Sequence, residues 1–388
     1  MIRVAIVGAG AIADTHIQAY LKFQDRCEIV GLVDLYPDKA AQKAAKYNLN
    51  AKVYPDHRSL LDNACIDLAS VCLPPFAHAE VAVDLLNAGM HVLAEKPMAT
   101  SLQECDQMLD AAEANRRLLS IVAQNRFKTP MMRLKKLVDS GIAGRIVHAQ
   151  VDSFWWRGVN YYDLWWRGTW EKEGGGCTLN HAVHQIDLFH WMIGMPSSLQ
   201  AVVANVAHEN SEVEDFSTAV LLYPDGAIGQ ITASLLHHGE PQQLVIQGER
   251  AMLAVPWHVK ASKQRENGFP EEDPTFAAEI QCVYDNMPAL ESEGHEGQIA
   301  NMLAAIEGTE GLVVDGRAGR NTIELASAIY ASGFTGERIA LPLSRDSRYY
   351  TREGILRSAP HFHEKAKSVS GFSNEEIVVG SSSEQKET

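Results

Sequence analysis

Small residues with the spacing G-x-G-x-x-A occupy positions 8 to 13, directly after a predicted strand and at the start of a predicted helix. In this setting Gly8 permits a tight turn, Gly10 lets the backbone approach a pyrophosphate, and Ala13 lets the helix pack closely on the sheet. The first helical residues, Ala11 and Ile12, would present oriented N–H groups to the phosphates. The motif therefore predicts a dinucleotide site; the alternative is a purely structural glycine turn.

An acidic residue stands where such a site would place the adenosine ribose. The second predicted strand ends at Asp34, about twenty residues past the glycines, where a carboxylate can accept hydrogen bonds from the ribose diol. The same carboxylate would repel a 2′-phosphate, and residues 35–37 contain no Arg or Lys. This favours NAD over NADP, although Lys39 or Arg58 leaves NADP possible.

Two further predicted strands are followed by segments that contain proline and polar residues. A Glu-Lys-Pro tripeptide begins at Glu95, after the predicted strand 91–94, and ligands of open α/β sheets bind outside the carboxyl ends of strands. Lys96 is thereby placed to meet the nicotinamide or the substrate, with a solvated turn as the alternative. Leu73 ends the predicted strand 68–73, Pro74 and His78 follow it, and all three would lie beside Lys96. His78 fits a helix-start polar group equally well.

A glycine run, Gly174–Gly176, precedes a helix predicted over 180–193. At 100° per residue Asn180, His184 and Asp187 fall within about 60° of arc on one stripe of that helix. With an ordinary pKa of about 6.5, an imidazole such as His184 is suited to proton transfer. His181 and His190 also suggest a metal site, but they point roughly opposite ways on a regular helix, so no metal is predicted.

Aromatic residues and arginines are concentrated between positions 154 and 170. Such a cluster suits the C–H faces and hydroxyls of a sugar or polyol, and it suits core packing or subunit contacts equally well. A second candidate is the pair that follows the predicted strand 118–122. The candidate contacts from these regions are Asn125, Arg126, Trp156, Arg157, Trp166, Arg167 and His181.

The first 125 residues alternate apolar, β-branched runs with helical-period stretches, which is typical of βαβ units and a doubly wound parallel sheet. The predicted strands are 2–7, 28–33, 68–73, 91–94 and 118–122, and the predicted helices are 12–22, 38–46, 77–88 and 101–115. Thr100-Ser101 followed by Glu104 is a helix-capping signal for the last of these. The N-terminal part is therefore predicted to be a Rossmann domain over residues 1–125.

Beyond residue 126 longer extended runs dominate, and Tyr223-Pro224-Asp225-Gly226 is a turn signal between two of them. The runs cover 145–154, 199–207, 216–223, 227–236 and 242–247, with helices predicted at 130–140, 180–193, 296–307 and 317–332. This predicts a C-terminal α/β domain over 126–345 with a large, mostly antiparallel open sheet. Residues 346–388 would form an extension whose Ser- and charge-rich end is mobile.

Composition excludes several classes of protein. The 388 residues carry a formal net charge of −15, which repels phosphate backbones and anionic lipid, so neither nucleic acid nor membrane is an expected partner. Six isolated cysteines are interpreted as buried thiols in a reducing compartment. The N-terminus lacks a leader pattern, and no apolar run approaches 18 residues. A soluble, cytoplasmic protein is predicted.

Taken together and in this order, several motifs resemble the Gfo/Idh/MocA family of nicotinamide-dependent oxidoreductases, of the inositol or glucose-fructose dehydrogenase type. They are the glycine fingerprint, Glu95-Lys96-Pro97, and the run from Trp166 to Trp170 through Gly174–Gly176, Asn180, His184 and Asp187. The resemblance covers roughly residues 1–340. It implies that Lys96 and His184 pair in hydride transfer, that Asn180 touches the substrate, and that another subunit covers the open sheet in a homodimer or homotetramer.

The predicted function is an NAD-dependent dehydrogenase acting on a secondary hydroxyl, or the matching ketone, of a sugar, cyclitol or related polyol. Asn180 cannot act as a carboxylate base, so proton transfer is expected to fall to His184, with Lys96 stabilising the alkoxide-like oxygen. Two alternatives stay open. Relatives in the resembling family also use bound NAD in glycoside cleavage by transient oxidation, and the same scaffold can serve as a non-catalytic nucleotide sensor.

Overall fold

The computed structural model describes residues 1–61, 65–370 and 372. Two compact units make up the chain: Met1–Lys128 with Leu290–Ile323, and Thr129–Ala289 with the chain from Glu324 onward. The end of the C-terminal extension, predicted to be mobile, lies outside the described residues. Within the described part of the chain, no helix combines the length and apolar character needed to cross a membrane.

The described residues of the first unit contain a six-stranded sheet in which every pairing is parallel. Its strands stand in the order β3-β2-β1-β4-β5-β6, so the chain crosses between β1 and β4. They are β1 (Ile2–Val7), β2 (Cys27–Val33), β3 (Lys52–Tyr54), β4 (Leu68–Val71), β5 (His91–Ala94) and β6 (Leu119–Ile121). β4 is buried throughout, as expected of a sheet covered on both faces. The predicted doubly wound sheet is confirmed, but β3 was not predicted and β4 ends two residues early.

Helices connect these strands, as βαβ units require. They are α1 (Ala11–Tyr20), α2 (Pro37–Lys46), α3 (Arg58–Leu61), α4 (Pro75–Asn87) and α5 (Leu102–Ala114). The predicted cap of α5 is confirmed: the amide of Glu104 donates to Ser101 Oγ at 3.3 Å, and the Glu104 carboxylate accepts from the amide and hydroxyl of Thr100. A 3-10 turn at Gln124–Phe127 follows β6.

The second unit's described residues contain a nine-stranded sheet in the order β14-β13-β12-β11-β7-β10-β9-β8-β15. The strands are β7 (Ile146–Phe154), β8 (Ser198–Ala204), β9 (Phe216–Leu222), β10 (Ile228–Ser234), β11 (Gln242–Gly248), β12 (Ala251–Val255), β13 (His258–Gln264), β14 (Pro270–Glu272) and β15 (Ile339–Ala340). Only the β7–β10 pairing within this described sheet is parallel, so the mostly antiparallel prediction is confirmed. The predicted turn at Tyr223–Gly226 joins β9 to β10, and Gly226 has φ +87°.

Helices of the second unit are α6 (Thr129–Asp139), α7 (Trp170–Glu173), α8 (Cys177–Asn180), α9 (Val183–Ile193) and α10 (Pro274–Asp285). The last of these was not predicted. On β8 and β9 alternate residues are buried, while Val202 and Val220 on the other face are 59% and 45% exposed. This alternation is typical of an antiparallel sheet with one face packed and one face open.

The chain then returns to the first unit with α11 (Gly294–Glu307), and continues through α12 (Gly316–Thr335) and α13 (Arg352–Ser358). Ile299, Met302 and Leu303 of α11 lie in the hydrophobic core that β1 and α1 share. Gln298 of the same helix donates to the carbonyl of Ile121 at 2.8 Å and accepts from the amide of Ala123 at 2.9 Å. This side chain thus hydrogen-bonds backbone groups at the end of the edge strand β6.

All six cysteines fall in the described part of the chain, and each is a free thiol. Cys27, Cys72, Cys105 and Cys177 are buried, as predicted. Cys65 and Cys282 are exposed, so the interpretation of every cysteine as buried was wrong for these two. Cys282 lies on α10, which the sequence did not reveal as a helix with an exposed face.

Candidate active site

The glycine loop between β1 and α1 has the geometry of a phosphate-binding turn. Gly8 has φ +103°, and a Cβ at this position would collide with the carbonyl of Cys72, so only glycine fits. Gly10 is exposed with open space above it, and no side chain caps the helix that follows. The exposed residue Ala11 and the half-buried Ile12 begin that helix, whose first amides are free to meet an anion. The loop fits a pyrophosphate.

Asp34, which follows β2, hydrogen-bonds the backbone of this loop. Its Oδ2 accepts from the amide of Ala9 at 2.8 Å, and its Oδ1 accepts from the amide of Tyr36 at 2.8 Å. The side chain is half-buried, and each carboxylate oxygen keeps a second acceptor position that suits a ribose hydroxyl. The carboxylate therefore combines a structural contact with an available anionic edge.

Glu95, directly before Lys96, is held by two histidines that the sequence did not single out. Glu95 Oε1 lies 2.9 Å from His16 Nε2 and 3.5 Å from His295 Nε2, while Oε2 accepts from the amide of Lys96 at 3.2 Å. Burial raises the pKa of this carboxyl, but the contacts with His16 and His295 outweigh it and hold the pKa well below its usual range. Glu95 is thus an ionised carboxylate whose contacts fix the backbone of Lys96.

We call His16, Glu95 and His295 the Glu95 cluster. Their ligand atoms lie within 4.8 Å of one another, a spacing that metal-binding groups share. The 2.9 Å contact of His16 with Glu95 is that of an ordinary hydrogen bond, which accounts for the spacing. His16 belongs to α1 and His295 to α11, so no local sequence motif predicts the cluster.

His78 joins two of the loops at this edge. The imidazole is fully buried, with Nδ1 2.8 Å from the carbonyl of Pro97 and Nε2 2.7 Å from the carbonyl of Leu73. Burial lowers the pKa of His78 despite these contacts. Leu73 is half-buried and Pro74 is exposed as the N-terminal cap residue of α4. Both ring nitrogens of His78 thus contact backbone carbonyls. His78 would therefore influence a ligand by positioning the two loops rather than by contacting the ligand directly.

Asn125 and Arg126 lie in the 3-10 turn after β6. Asn125 is half-buried, whereas Arg126 is 2% exposed and donates from Nη1 to the carbonyl of Val313 at 3.2 Å. β1, β2, β4, β5 and β6 are all parallel, so their carboxyl ends lie at one edge of the sheet. The segments that follow these ends are the glycine loop, Asp34, Leu73 to His78, Glu95 with Lys96, and this turn. That edge is where open α/β sheets bind ligands.

In the second unit a buried carboxylate organises the glycine run. Glu214 Oε2 accepts from the amide of Gly176, and Oε1 accepts from the amide of Thr178 and the hydroxyl of Tyr330, each at 2.9 Å. A Cβ at position 176 would collide with the backbone carbonyl of Glu214, so the close approach requires glycine. Burial raises the pKa of Glu214. Sequence reasoning missed Glu214 and Tyr330, because neither lies near the run along the chain.

The prediction of one helix over 180–193 was wrong. The amides of His181 and Ala182 both donate to the carbonyl of Cys177, at 3.1 and 2.8 Å, which closes α8 at Asn180 before α9 begins at Val183. Asn180 and His184 therefore lie on different helices, so Asn180 does not belong to the predicted stripe, whereas His184 and Asp187 are three residues apart on α9.

Asn180, His184 and Asp187 differ in burial and in contacts. Asn180 donates from Nδ2 to the carbonyl of Gly175 at 2.6 Å, so its amide group holds the glycine run. His184 is half-buried in the first turn of α9. Asp187 is 5% exposed and lies 3.7 Å from His190 Nε2.

The aromatic segment, residues 154–170, brings its two arginines to one tyrosine. The guanidinium of Arg167 lies 4.2 Å from the ring centre of Tyr161 and 4.3 Å from that of Trp166, and it donates to the Tyr161 hydroxyl. Arg157 lies 5.7 Å from the same tyrosine ring. His181 Nε2 is 3.1 Å from the Tyr161 hydroxyl. The predicted candidates Arg157, Trp166, Arg167 and His181 are thus brought together around Tyr161, which was not itself chosen.

Two carboxylates accompany the arginines. Arg157 donates to Glu240 Oε1 at 2.6 Å, and Arg167 Nη1 lies 3.4 Å from Glu173 Oε1. Glu173 is 1% exposed and also accepts from the amide of Gly168 at 2.6 Å. Burial raises the pKa of Glu173 to about 7, against the opposing charge of Arg167. Trp156 stands apart, 45% exposed and stacked on His238 with ring centres 5.1 Å apart.

Both units of the chain have matches among known proteins. Residues 2–122 match the model of the Gfo/Idh/MocA oxidoreductase family's NAD-binding Rossmann fold, and residues 131–254 match the model of that family's C-terminal domain. The WlbA dehydrogenase from Chromobacterium violaceum, solved with NADH and UDP-GlcNAcA, is 30% identical with a TM-score of 0.76, over 88% of this chain and 96% of that one.

Two curated relatives match a shorter stretch. The D-glucoside 3-dehydrogenase of Escherichia coli strain K12 is 30% identical over 50% of this chain and 55% of its own length. The inositol 2-dehydrogenase of Salmonella typhimurium strain LT2 is 27% identical over 50% of this chain and 54% of its own length. The chain thus matches about half the length of these curated relatives.

The parallel sheet and the match of residues 2–122 define the N-terminal unit as the NAD-binding Rossmann domain of an oxidoreductase family. The chain belongs to the Gfo/Idh/MocA family, which confirms the resemblance drawn from its motifs.

Proposed function

We propose that this protein transfers a hydride between NAD and a secondary hydroxyl, or the matching ketone, of a sugar, cyclitol or related polyol. The observation that carries the proposal is the position of Lys96 at the carboxyl end of β5, on the same sheet edge as the glycine loop and Asp34. Relatives that act on glucosides and inositol, and a neighbour solved with a nucleotide sugar, support the substrate class.

In this proposal the first unit holds NAD through groups already in place. The backbone of Gly8 and Gly10 and the amides of Ala11 and Ile12 hold the pyrophosphate, and Asp34 accepts from the ribose. Leu73, Pro74 and Asn125 line the nicotinamide side, while His78 and Glu95 position the loops there by the contacts described above. When bound, NAD⁺ supplies the hydride acceptor.

The proton is handled by this chain's own side chains. The ammonium of Lys96 orients the hydroxyl oxygen and stabilises the negative charge that develops on it. His184 takes the hydroxyl proton as the C–H electron pair leaves as hydride and the carbinol becomes a carbonyl. The amide of Asn180 binds the substrate rather than acting as a base. The remaining sugar contacts are Arg126, Trp156, Arg157, Trp166, Arg167 and His181.

Substitution of the two proton-handling residues tests these roles. A panel of sugars, inositols and their keto forms is first screened with NAD and NADP for NADH or NADPH formation. Lys96→Ala and His184→Ala should each lower kcat for the best substrate by about 10²-fold or more while NAD still binds. Lys260→Ala and His258→Ala, both exposed on β13, are the matched controls.

Near-normal turnover in Lys96→Ala or His184→Ala would reject the roles assigned to them. Conversion of a glycoside with no net cofactor reduction would instead identify the NAD-recycling cleavage reaction. Binding of NAD and sugar without any chemistry would identify a sensor.

We also propose that a second copy of the chain covers the open face of the nine-stranded sheet, in a homodimer or homotetramer. Val202 and Val220 stand exposed on neighbouring strands of that face, and apolar residues grouped on an open sheet favour a partner.

A further inference from the structure

After α13 the chain runs without helix along the second unit, as a segment that we call the C-terminal strap, residues 359–370. It lies against the aromatic segment that carries Tyr161 and Arg167. At its start, the carbonyl of Pro360 accepts from Trp170 Nε1 at 3.0 Å, and the amide of Phe362 donates to the carbonyl of Glu212 at 3.0 Å. Glu212 is itself bonded to that segment, because its amide donates to the carbonyl of Gly168 at 2.8 Å.

The far end of the strap pairs with the backbone of the aromatic segment. The amide of Val369 donates to the carbonyl of Asp163 at 2.8 Å, and the amide of Trp165 donates to the carbonyl of Val369 at 2.9 Å. These two bonds form an isolated parallel bridge in which Val369 is paired with Leu164. The strap is therefore bonded to the aromatic segment by backbone at both ends.

Two lysines of the strap contact the aromatic segment between these anchors. Lys365 Nζ donates to the carbonyl of Tyr162, and Lys367 Nζ pairs with the 4%-exposed Asp163. Asn210 completes the arrangement by donating from Nδ2 to Asp163 Oδ1 at 3.0 Å and to the carbonyl of Lys367 at 2.9 Å. The carbonyl of Tyr162 and the carboxylate of Asp163, which both accept from Asn210 Nδ2, thus each gain a second, charged donor from the strap.

The aromatic segment needs such external support. Between β7 and α7 its described secondary structure is the 3-10 turn at Val159–Asp163 and two isolated bridges, one of them the bridge to Val369, so few of its backbone groups bond within a helix or a strand. Its side chains Tyr161, Trp166 and Arg167 nevertheless stack in a defined geometry. A loop that carries binding groups gains affinity when its bound conformation is held in advance, because less conformational entropy is lost on binding.

We propose that the C-terminal strap is a specificity element of the sugar site, in which Lys365 and Lys367 are positioning residues that hold the aromatic segment in its binding conformation. The proposal rests on the proposed function, since that function assigns the aromatic segment to the sugar. The strap acts on sugar binding and leaves NAD binding to the first unit.

The test compares the full-length protein with two strap variants. Lys365→Met with Lys367→Met removes both ammonium groups and keeps the length of the side chains. Val369→Pro removes the N–H that bonds the carbonyl of Asp163 and also fixes the backbone φ at that position. Glu364→Gln, at an exposed strap position, is the matched control. Hydrogen exchange is followed in peptides that span residues 158–170, and KM, kcat and the NAD dissociation constant are measured for the best sugar.

Both strap variants should exchange faster over residues 158–170 than the wild type and the control. Their KM for the sugar should rise about tenfold or more, the size expected for one lost hydrogen bond to a charged group, with kcat within about twofold and NAD affinity unchanged. A substitution that merely unfolded the unit would lower kcat and exchange protection throughout it.

Unchanged exchange, or faster exchange with an unchanged KM, would overturn the role of the strap. Failure of the proposed function has a different signature. In that case wild type and control turn over no sugar at all, and the specificity role falls with the function while the exchange data still report whether the strap holds the segment.

Discussion

Glu173 offers a quantitative test of the electrostatics around the sugar half of the site. The carboxyl is 1% exposed, and burial raises its pKa from 4.5 to about 7 even though Arg167 lies 3.4 Å away. In the unfolded chain the same group would ionise near its ordinary pKa. Between these two values the folded protein holds a proton that the unfolded chain has released.

The sign of the effect follows from that difference. Below about pH 4.5 both states are protonated and Glu173 contributes no pH dependence. As the pH rises towards 7 only the unfolded chain ionises, so stability falls, and above 7 the full cost of burying the charge is present. At 1.36 kcal/mol per pKa unit the loss amounts to about 3 kcal/mol.

Glu173→Gln removes the titration while keeping the shape of the side chain. We expect the free energy of unfolding of this variant, relative to that of the wild type, to increase by about 3 kcal/mol as the pH rises from about 4 to about 8. Urea unfolding at several pH values measures the difference. Glu171→Gln, two residues earlier on α7 and exposed, should give a curve parallel to the wild type.

Parallel curves for Glu173→Gln and wild type would refute the raised pKa. A variant that loses stability relative to the wild type as the pH rises would show that the Arg167 ion pair dominates burial. That outcome would also place an ionised carboxylate among the proposed sugar contacts.

Two further predictions concern the glycine loop and the open sheet. Gly8→Ala should destabilise the protein by 1 kcal/mol or more, on the order of the cost of left-handed backbone for a side chain, because its Cβ also meets the carbonyl of Cys72, whereas Gly10→Ala should fold normally and bind NAD more weakly. Thermal unfolding and NAD titration distinguish these outcomes, and equal stability of the two variants would contradict them. Val202→Lys with Val220→Lys should shift the sedimentation coefficient towards that of the monomer without loss of fold, and an unchanged coefficient would argue that another surface forms the oligomer.

The parts of the fold that sequence predicted well are those with strong local signals. β1 was predicted at its observed bounds because Val4 to Val7 form an apolar run, and the cap of α5 followed from Ser101 and Glu104. β13 was missed because its sequence is largely polar and exposed, which hides alternation. α10 has a local start signal, since Asp273 caps it and Pro274 is its first residue, but only Ile280 and Tyr284 are buried, so its apolar periodicity is weak.

In the candidate site, too, the features that the sequence predicts depend on neighbouring residues, and the features that it misses depend on residues far away in the chain. The glycine loop and Asp34 are readable because one βαβ unit contains both. The start of α8 is held by Glu214, which accepts from the amides of Gly176 and Thr178 from a distant loop before β9. The partner of Glu95 on α11 is two hundred positions away, beyond the reach of any spacing rule.

The placement of α11 has a consequence for how the protein is made. Residues 1–128 are synthesised long before Gln298, whose side chain hydrogen-bonds Ile121 and Ala123 at the edge of the first sheet. At about 5–20 residues per second the nascent chain waits on the order of ten seconds or more for this helix. Throughout that interval the apolar surface that packs against Met302 and Leu303 is uncovered, so the incomplete first unit exposes hydrophobic surface during translation.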